Sequence, residues 1–122
     1  VLIVEDDPAQ IEVLECHLQR RGFSTVAVAD GRAAIEEARG SRPDLVLLDL
    51  RLRDGDGLRI CEELSDEPAT ATIPIIILSG MERPDIIRRS RAAGCSYYVR
   101  KPYDPSALLI LIEQAIQEAE SW

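Results

Sequence analysis

Three carboxylates in a row, Glu5, Asp6 and Asp7, follow four apolar residues in "VLIVEDDP". Two unit charges about 4 Å apart repel by roughly 4 kcal/mol at an effective dielectric near 20, so such a cluster needs a use. Further along, Asp49 ends the run in "PDLVLLDLRL", Ser79 ends "PIIILSG", and Lys101 and Pro102 follow "YYVRKP". Carboxylates, a hydroxyl and an ammonium thus stand at the ends of four short apolar runs. Clustered hard oxygen donors suit Mg²⁺ or Mn²⁺, which favour near-octahedral oxygen ligands and keep several waters.

The elements that must position them alternate. Val1–Val4, Thr25–Val28, Leu45–Leu48, Ile75–Leu78 and Tyr97–Val99 read as strands, several apolar throughout as in a sheet covered on both faces. Between them lie stretches of helical period. Ile11, Leu14 and Leu18 share one face, as do Leu108, Leu111, Ile112, Ala115 and Ile116, and Leu58, Cys61 and Leu64 repeat the pattern more weakly. Asp7, Asp30 and Asp104 are expected at helix N-termini, and Gly22, Gly40 and Gly94 at helix ends. The order βαβαβαβαβα implies right-handed crossovers and a parallel sheet with helices on both faces. The fold class is α/β, a doubly wound five-stranded parallel sheet, and the common flavodoxin-like order for such a sheet is 2-1-3-4-5. In that order the first and third strands are neighbours, so Glu5, Asp6 and Asp49 crowd together at the carboxyl edge, where open α/β sheets bind ligands.

The 122 residues bound the chain to one domain. A net charge of -8 argues against non-specific binding to nucleic acid or an anionic membrane through this domain. There is neither a signal-peptide pattern nor an apolar run approaching a membrane span. Cys16, Cys61 and Cys95 form no CxxC pair and read as small buried hydrophobes in a reducing cytosol. His17, the only histidine, reads as a helix position rather than a phosphodonor. The chain, lacking an initiator Met, is expected to be a single domain over 1–122 within a longer protein.

Taken in register, "VLIVEDDP", "ADGRAAIE", "PDLVLLDLRLRDGDG", "PIIILSG" and "GCSYYVRKPY" resemble the receiver domain of bacterial two-component response regulators over the whole chain. The resemblance implies roles. Asp49 matches the phosphoacceptor and Asp6 the acid that binds Mg²⁺ directly, while Glu5 matches the neighbour that acts through water and the Arg51 backbone carbonyl a further metal ligand. Ser79 matches the switch hydroxyl, Lys101 the invariant lysine and Tyr98 the aromatic that changes rotamer. The Lys101–Pro102 bond matches one that is usually cis. A histidine kinase or phosphotransfer protein is the implied donor, and the fourth helix, fifth strand and fifth helix form the implied readout face. On that face Ile110 falls opposite the apolar arc of its helix, among Glu113, Gln114 and Gln117, with Tyr98 and Arg100 nearby, which suits a partner or homodimer surface.

The chemistry of the residues agrees: a carboxylate nucleophile forms an acyl phosphate, with a cation offsetting the charge of the arriving phosphate. Four positions depart from the family pattern or tune it. Arg53 stands where Pro is usual, beside Asp54 and Gly55. Gly80, where Ala is usual, leaves an open path to the phosphate. Arg51 and Met81 occupy positions that tune phosphate lifetime. Three rivals fit less well. A haloacid-dehalogenase-type phosphohydrolase needs an Asp where Arg51 stands. An FMN carrier needs a first loop without three acids. A degenerate receiver serving only as a binding module would not keep every reactive position filled. The expected protein is a cytoplasmic phosphoacceptor switch rather than a turnover enzyme.

Overall fold

The computed structural model describes residues 1–52, 55–80 and 83–120. Five strands, β1 (Leu2–Val4), β2 (Val26–Val28), β3 (Val46–Asp49), β4 (Ile75–Ser79) and β5 (Tyr97–Arg100), form one parallel sheet in the order β2-β1-β3-β4-β5. Five helices alternate with them: α1 (Pro8–Arg20), α2 (Gly31–Ser41), α3 (Gly57–Asp66), α4 (Pro84–Ala92) and α5 (Pro105–Glu120). The expected topology is found. No described helix is long and apolar enough to cross a membrane.

Strand side chains alternate between faces, and the core divides accordingly. Leu2, Val4, Val46, Leu48, Ile75 and Ile77 pack with Ala34 and Ala38 of α2, Leu58, Cys61 and Leu64 of α3, and Ile86 of α4. The intervening Ile3, Leu47, Ile76 and Leu78 pack with Leu14 and Leu18 of α1 and Leu108, Leu109 and Ile112 of α5. The division follows from the strand order. The step from β1 to β2 runs one way across the sheet and the later steps run the other, so right-handed crossovers place α1 on one face and α2, α3 and α4 on the opposite one. The reversal occurs between β1 and β3, where the acids gather.

Caps fix the helix starts. Asp7 accepts from the Ala9 N–H at 3.0 Å, Asp30 from Ala33 at 2.8 Å and Asp104 from Ala107 at 3.1 Å. Gly22 and Gly94 take positive φ after α1 and α4. Gly40 does not close α2, contrary to expectation. The helix runs to Ser41 and is capped by Arg42, at φ 45. Pro43 follows, and the residue before a proline is pushed out of the helical region.

The cysteine expectation holds in part. Cys61 is buried and Cys95 half-buried, but Cys16 is exposed, because it lies across α1 from Leu14 and Leu18. Burial pushes the Cys61 thiol up to about 12. A two-strand hairpin, Arg51–Leu52 against Gly55–Asp56, was not expected from the sequence. Arg53, Asp54 and Met81, singled out above, lie outside the described residues.

Gly57 begins α3 directly against the β3 terminus. A Cβ there would sit 2.7 Å from the Leu50 Cα and 2.8 Å from the Asp49 carbonyl oxygen. Backbone atoms cannot yield as a flexible side chain can. Gly57→Ala is therefore expected to destabilise the domain by about 1–3 kcal/mol, a fall in Tm on the order of 5–10 °C by calorimetry. An unchanged Tm would mean that the β3–α3 junction is looser than its contacts indicate.

Candidate functional site

Strand register builds the site. Val4 pairs with Leu48, so the next residues, Glu5 and Asp49, leave adjacent strands side by side. Alternation sends both toward the α1 and α5 face, as it does Ile3 and Leu47. β5 ends at Arg100 opposite Ser79, and Lys101 follows; its backbone N–H donates to the Ser79 carbonyl at 2.9 Å. The Lys101–Pro102 peptide bond is cis.

These residues meet in an open cleft of about 350 Å³, whose walls include Glu5, Asp6, Gln10, Asp49, Gly80 and Lys101. A water's share of liquid volume is about 30 Å³, so the cleft has room for a phosphoryl group and a partly hydrated ion. Lys101 Nζ donates to Asp49 Oδ2 at 2.8 Å and to Glu5 Oε2 at 3.3 Å. The Arg51 N–H donates to Asp49 Oδ1 at 2.8 Å, and the Asp7 N–H to Glu5 Oε1 at 3.2 Å. The Arg51 backbone therefore grips Asp49 while its side chain is exposed.

Glu5 and Asp49 are only 3% and 7% exposed, and their titrations diverge. Burial, reinforced by hydrogen bonding to Asp49 and by its charge, raises the Glu5 carboxyl to about 7. Burial also opposes ionisation of Asp49. The hydrogen bonds with Glu5, Lys101 and the Arg51 N–H outweigh it and hold Asp49 below its ordinary value. Lys101 titrates above its ordinary value, since its partners overcome the cost of burial. Asp49 is thus ionised at neutral pH, beside a second carboxyl that is partly protonated.

The donor set fits a hard divalent cation. It consists of oxygens, and two buried carboxyls share a single ammonium. Among the described residues no three His, Cys, Asp or Glu side chains form a ready metal cage. The expected set does not require one, since it takes two carboxylates, a backbone carbonyl and waters.

Ser79 is completely buried. By alternation it lies with Ile75 and Ile77 on the face where Tyr98, half-buried, packs. The cleft wall at the end of β4 is formed by Gly80. Seven of the expected positions, Glu5, Asp6, Asp49, Arg51, Gly80, Lys101 and Ser79, thus collect at three adjacent strand ends and β5, and Tyr98 stands one layer behind. Sequence reasoning missed Gln10, whose Oε1 accepts from Lys101 Nζ and whose Nε2 donates to Asp7 Oδ2 at 3.2 Å. A signal was available: "DPAQ" has the spacing of a capping box, which places the fourth residue back over the N-cap.

With fold and site described, similarity to known proteins is specific. The response regulator receiver domain family matches residues 1–113, and the chain belongs to that family. Transcriptional regulatory protein CseB of Streptomyces coelicolor is 36% identical over 117 residues, which cover 96% of this chain and 49% of CseB. The chain spans about half the length of the curated relatives it matches. Among solved structures, the receiver domain of a signal transduction histidine kinase from Syntrophus aciditrophicus superposes with a TM-score of 0.89 at 32% identity, covering 96% of this chain and 89% of that one. The receiver domain of the sensor histidine kinase PA1611 from Pseudomonas aeruginosa, solved with a magnesium ion in its active-site cleft, gives 0.87 at 30% identity and covers 95% of each chain.

The buried Glu5 carboxyl sets a pH dependence in the metal-free protein. Its folded value, about 7, lies above the ordinary 4.5. Its stabilising contribution is therefore complete below pH 4.5 and is lost as pH rises through 7. Glu5→Gln should match the parent's stability at pH 4.5. At pH 8 in chelator it should exceed it by on the order of 2–3 kcal/mol in urea titrations. A variant less stable than the parent at pH 8 would show that Glu5 is held as a satisfied anion.

Proposed function

We propose that this domain is a Mg²⁺-dependent phosphoacceptor switch in which Asp49 receives a phosphoryl group from a phosphohistidine of a kinase or phosphotransfer protein. The observation that carries the reading is the state of Asp49: an ionised carboxylate at the end of a central strand, held by the Arg51 N–H and by Lys101 and opening into a cleft. An Asp49 oxygen attacks the phosphorus, the new O–P bond forms as the donor's P–N bond breaks, and the electron pair returns to the imidazole nitrogen, which takes up a proton. Lys101 is close enough to follow the charge onto the phosphoryl oxygens, and Gly80 presents no side chain to obstruct them. Asp6, Asp49 and the Arg51 carbonyl would hold Mg²⁺ or Mn²⁺, with Glu5 acting through water. When bound, the ion supplies positive charge between carboxylate and phosphoryl oxygens. The magnesium described for the PA1611 receiver supports this assignment.

The phosphoryl group acts elsewhere by favouring one of two packings. Ser79 moves toward the phosphate and Tyr98 turns into the space it leaves. The two already share a face of the sheet, which supports this coupling. The readout face is α4, β5 and α5. A groove there is lined by Ile87, Arg91, Tyr97, Tyr98 and Arg100, and Ile110 is 59% exposed. This face serves a homodimer or an output partner. The domain works in the cytoplasm as one module of a longer protein, does not itself bind nucleic acid or membrane, and is not a turnover enzyme. The transcriptional relative, twice as long, supports an attached output domain.

Incubation with acetyl phosphate and Mg²⁺ should place one hydroxylamine-labile phosphoryl group on the chain, detected by intact mass. Asp49→Asn should abolish it, Asp6→Asn should slow it, and chelator should prevent it. Equal incorporation in Asp49→Asn would overturn the acceptor assignment.

Sedimentation with and without beryllofluoride tests the readout face. Activation should promote association, and Ile110→Glu should remove the association while leaving phosphorylation intact. Partial activation is the expected extent, since moving an equilibrium from 1:99 to 99:1 requires about 5.5 kcal/mol. If neither association nor amide resonances on α4, β5 and α5 respond, the output leaves by another face.

A further inference from the structure

Lys101 has three ammonium protons and meets three acceptors. Two are carboxyl oxygens of the acidic site, Asp49 Oδ2 at 2.8 Å and Glu5 Oε2 at 3.3 Å. The third is the neutral Oε1 of Gln10, reached across 91 residues of sequence. An ammonium carries three donors and no acceptor, so these three contacts saturate it. Gln10 is itself anchored. Its Nε2 donates to Asp7 Oδ2 at 3.2 Å, while Asp7 Oδ1 caps α1 through the Ala9 N–H at 3.0 Å. A rigid helix start thereby holds one corner of the ammonium.

We propose that Gln10 is a positioning residue for phosphoryl transfer: anchored on Asp7, it fixes the direction of the Lys101 ammonium so that the cation already stands where phosphoryl charge develops. The proposal rests on Asp49 being the acceptor. A lysine side chain has many rotamers, and ordering it is costly. The Lys101 side chain is 21% exposed, so without Gln10 it has room to swing toward solvent while keeping one carboxylate contact. Asp49 and Glu5 cannot replace the third hold. Asp49 changes charge and shape when phosphorylated, and Glu5 borders the cation site. Gln10 alone keeps its character throughout the reaction. Preorganised charge is effective in such transfers because no reorganisation is required at the reacting moment.

The test uses Gln10→Met, which keeps length and helix propensity and removes both the acceptor and the anchor on Asp7. In the chelated, unphosphorylated protein, the Lys101 ammonium should give a slowly exchanging ¹⁵N signal in the parent and lose it in Gln10→Met. With acetyl phosphate and Mg²⁺, the labelling rate of Gln10→Met should fall about tenfold, roughly the worth of one charge-assisted hydrogen bond. In a Lys101→Met background the same substitution should cost nothing further, since residues acting through one contact are not additive. A retained ammonium signal in Gln10→Met, an unchanged rate, or a full loss on top of Lys101→Met would each overturn the proposal. Were Asp49→Asn to label normally, the acceptor assignment would fail, and the ammonium signal in metal-free protein would still decide whether Gln10 holds Lys101.

Discussion

Two carboxyl groups leave adjacent parallel strands side by side, and one half-buried ammonium spans them. The pairing of Val4 with Leu48 makes the juxtaposition of Glu5 and Asp49 unavoidable, and Lys101 makes it tolerable. A shift of β1 by one residue would send its side chains to the opposite faces. It would exchange Leu2 and Val4 with Ile3 between two differently packed cores and turn Glu5 away from Asp49, so core packing and the acidic site depend on the same register. Core packing on both faces of the sheet thus has a chemical consequence: it holds like charges closer than they would otherwise stay.

The asymmetry between the two acids is what makes the site usable. Equal sharing of one ammonium would leave neither group fully ionised. Instead the Arg51 N–H and Lys101 favour charge on Asp49, while burial and the neighbouring Asp49 disfavour it on Glu5. The backbone close to Gly57 supports this arrangement from below, since α3 begins against the peptide that carries Asp49. An ionised carboxylate, its counter-charge and an open cleft beside them are therefore built by the fold before any ligand arrives.

Much of this was legible in the residues. Alternating strand and helix periods point to a parallel α/β sheet, the strand order is the common one for such sheets, and the position of each polar residue at the end of an apolar run places it at one sheet edge. Asp7, Asp30 and Asp104 were readable as caps because their side chains act locally. What escaped was non-local or cooperative. Gln10 becomes relevant only when Lys101 arrives from the far end of the chain. Gly40 looked like a helix end because glycine often is one, yet Pro43 decides where α2 stops. Cys16 reads as interior because it sits within an apolar-periodic stretch, while its angular position on α1 puts it opposite the buried stripe. The exposure of Ile110, in contrast, followed directly from helical phase.

A crystal structure of the domain with Mg²⁺ and beryllofluoride tests the central claim most directly. Beryllium should be bonded to an Asp49 oxygen, with Lys101 Nζ on one fluoride, the metal between Asp6 and Asp49, and Ser79 turned toward the adduct. Beryllofluoride bound away from Asp49, or an Asp49–Lys101 pair left intact beside a vacant cleft at saturating ligand, would contradict the account.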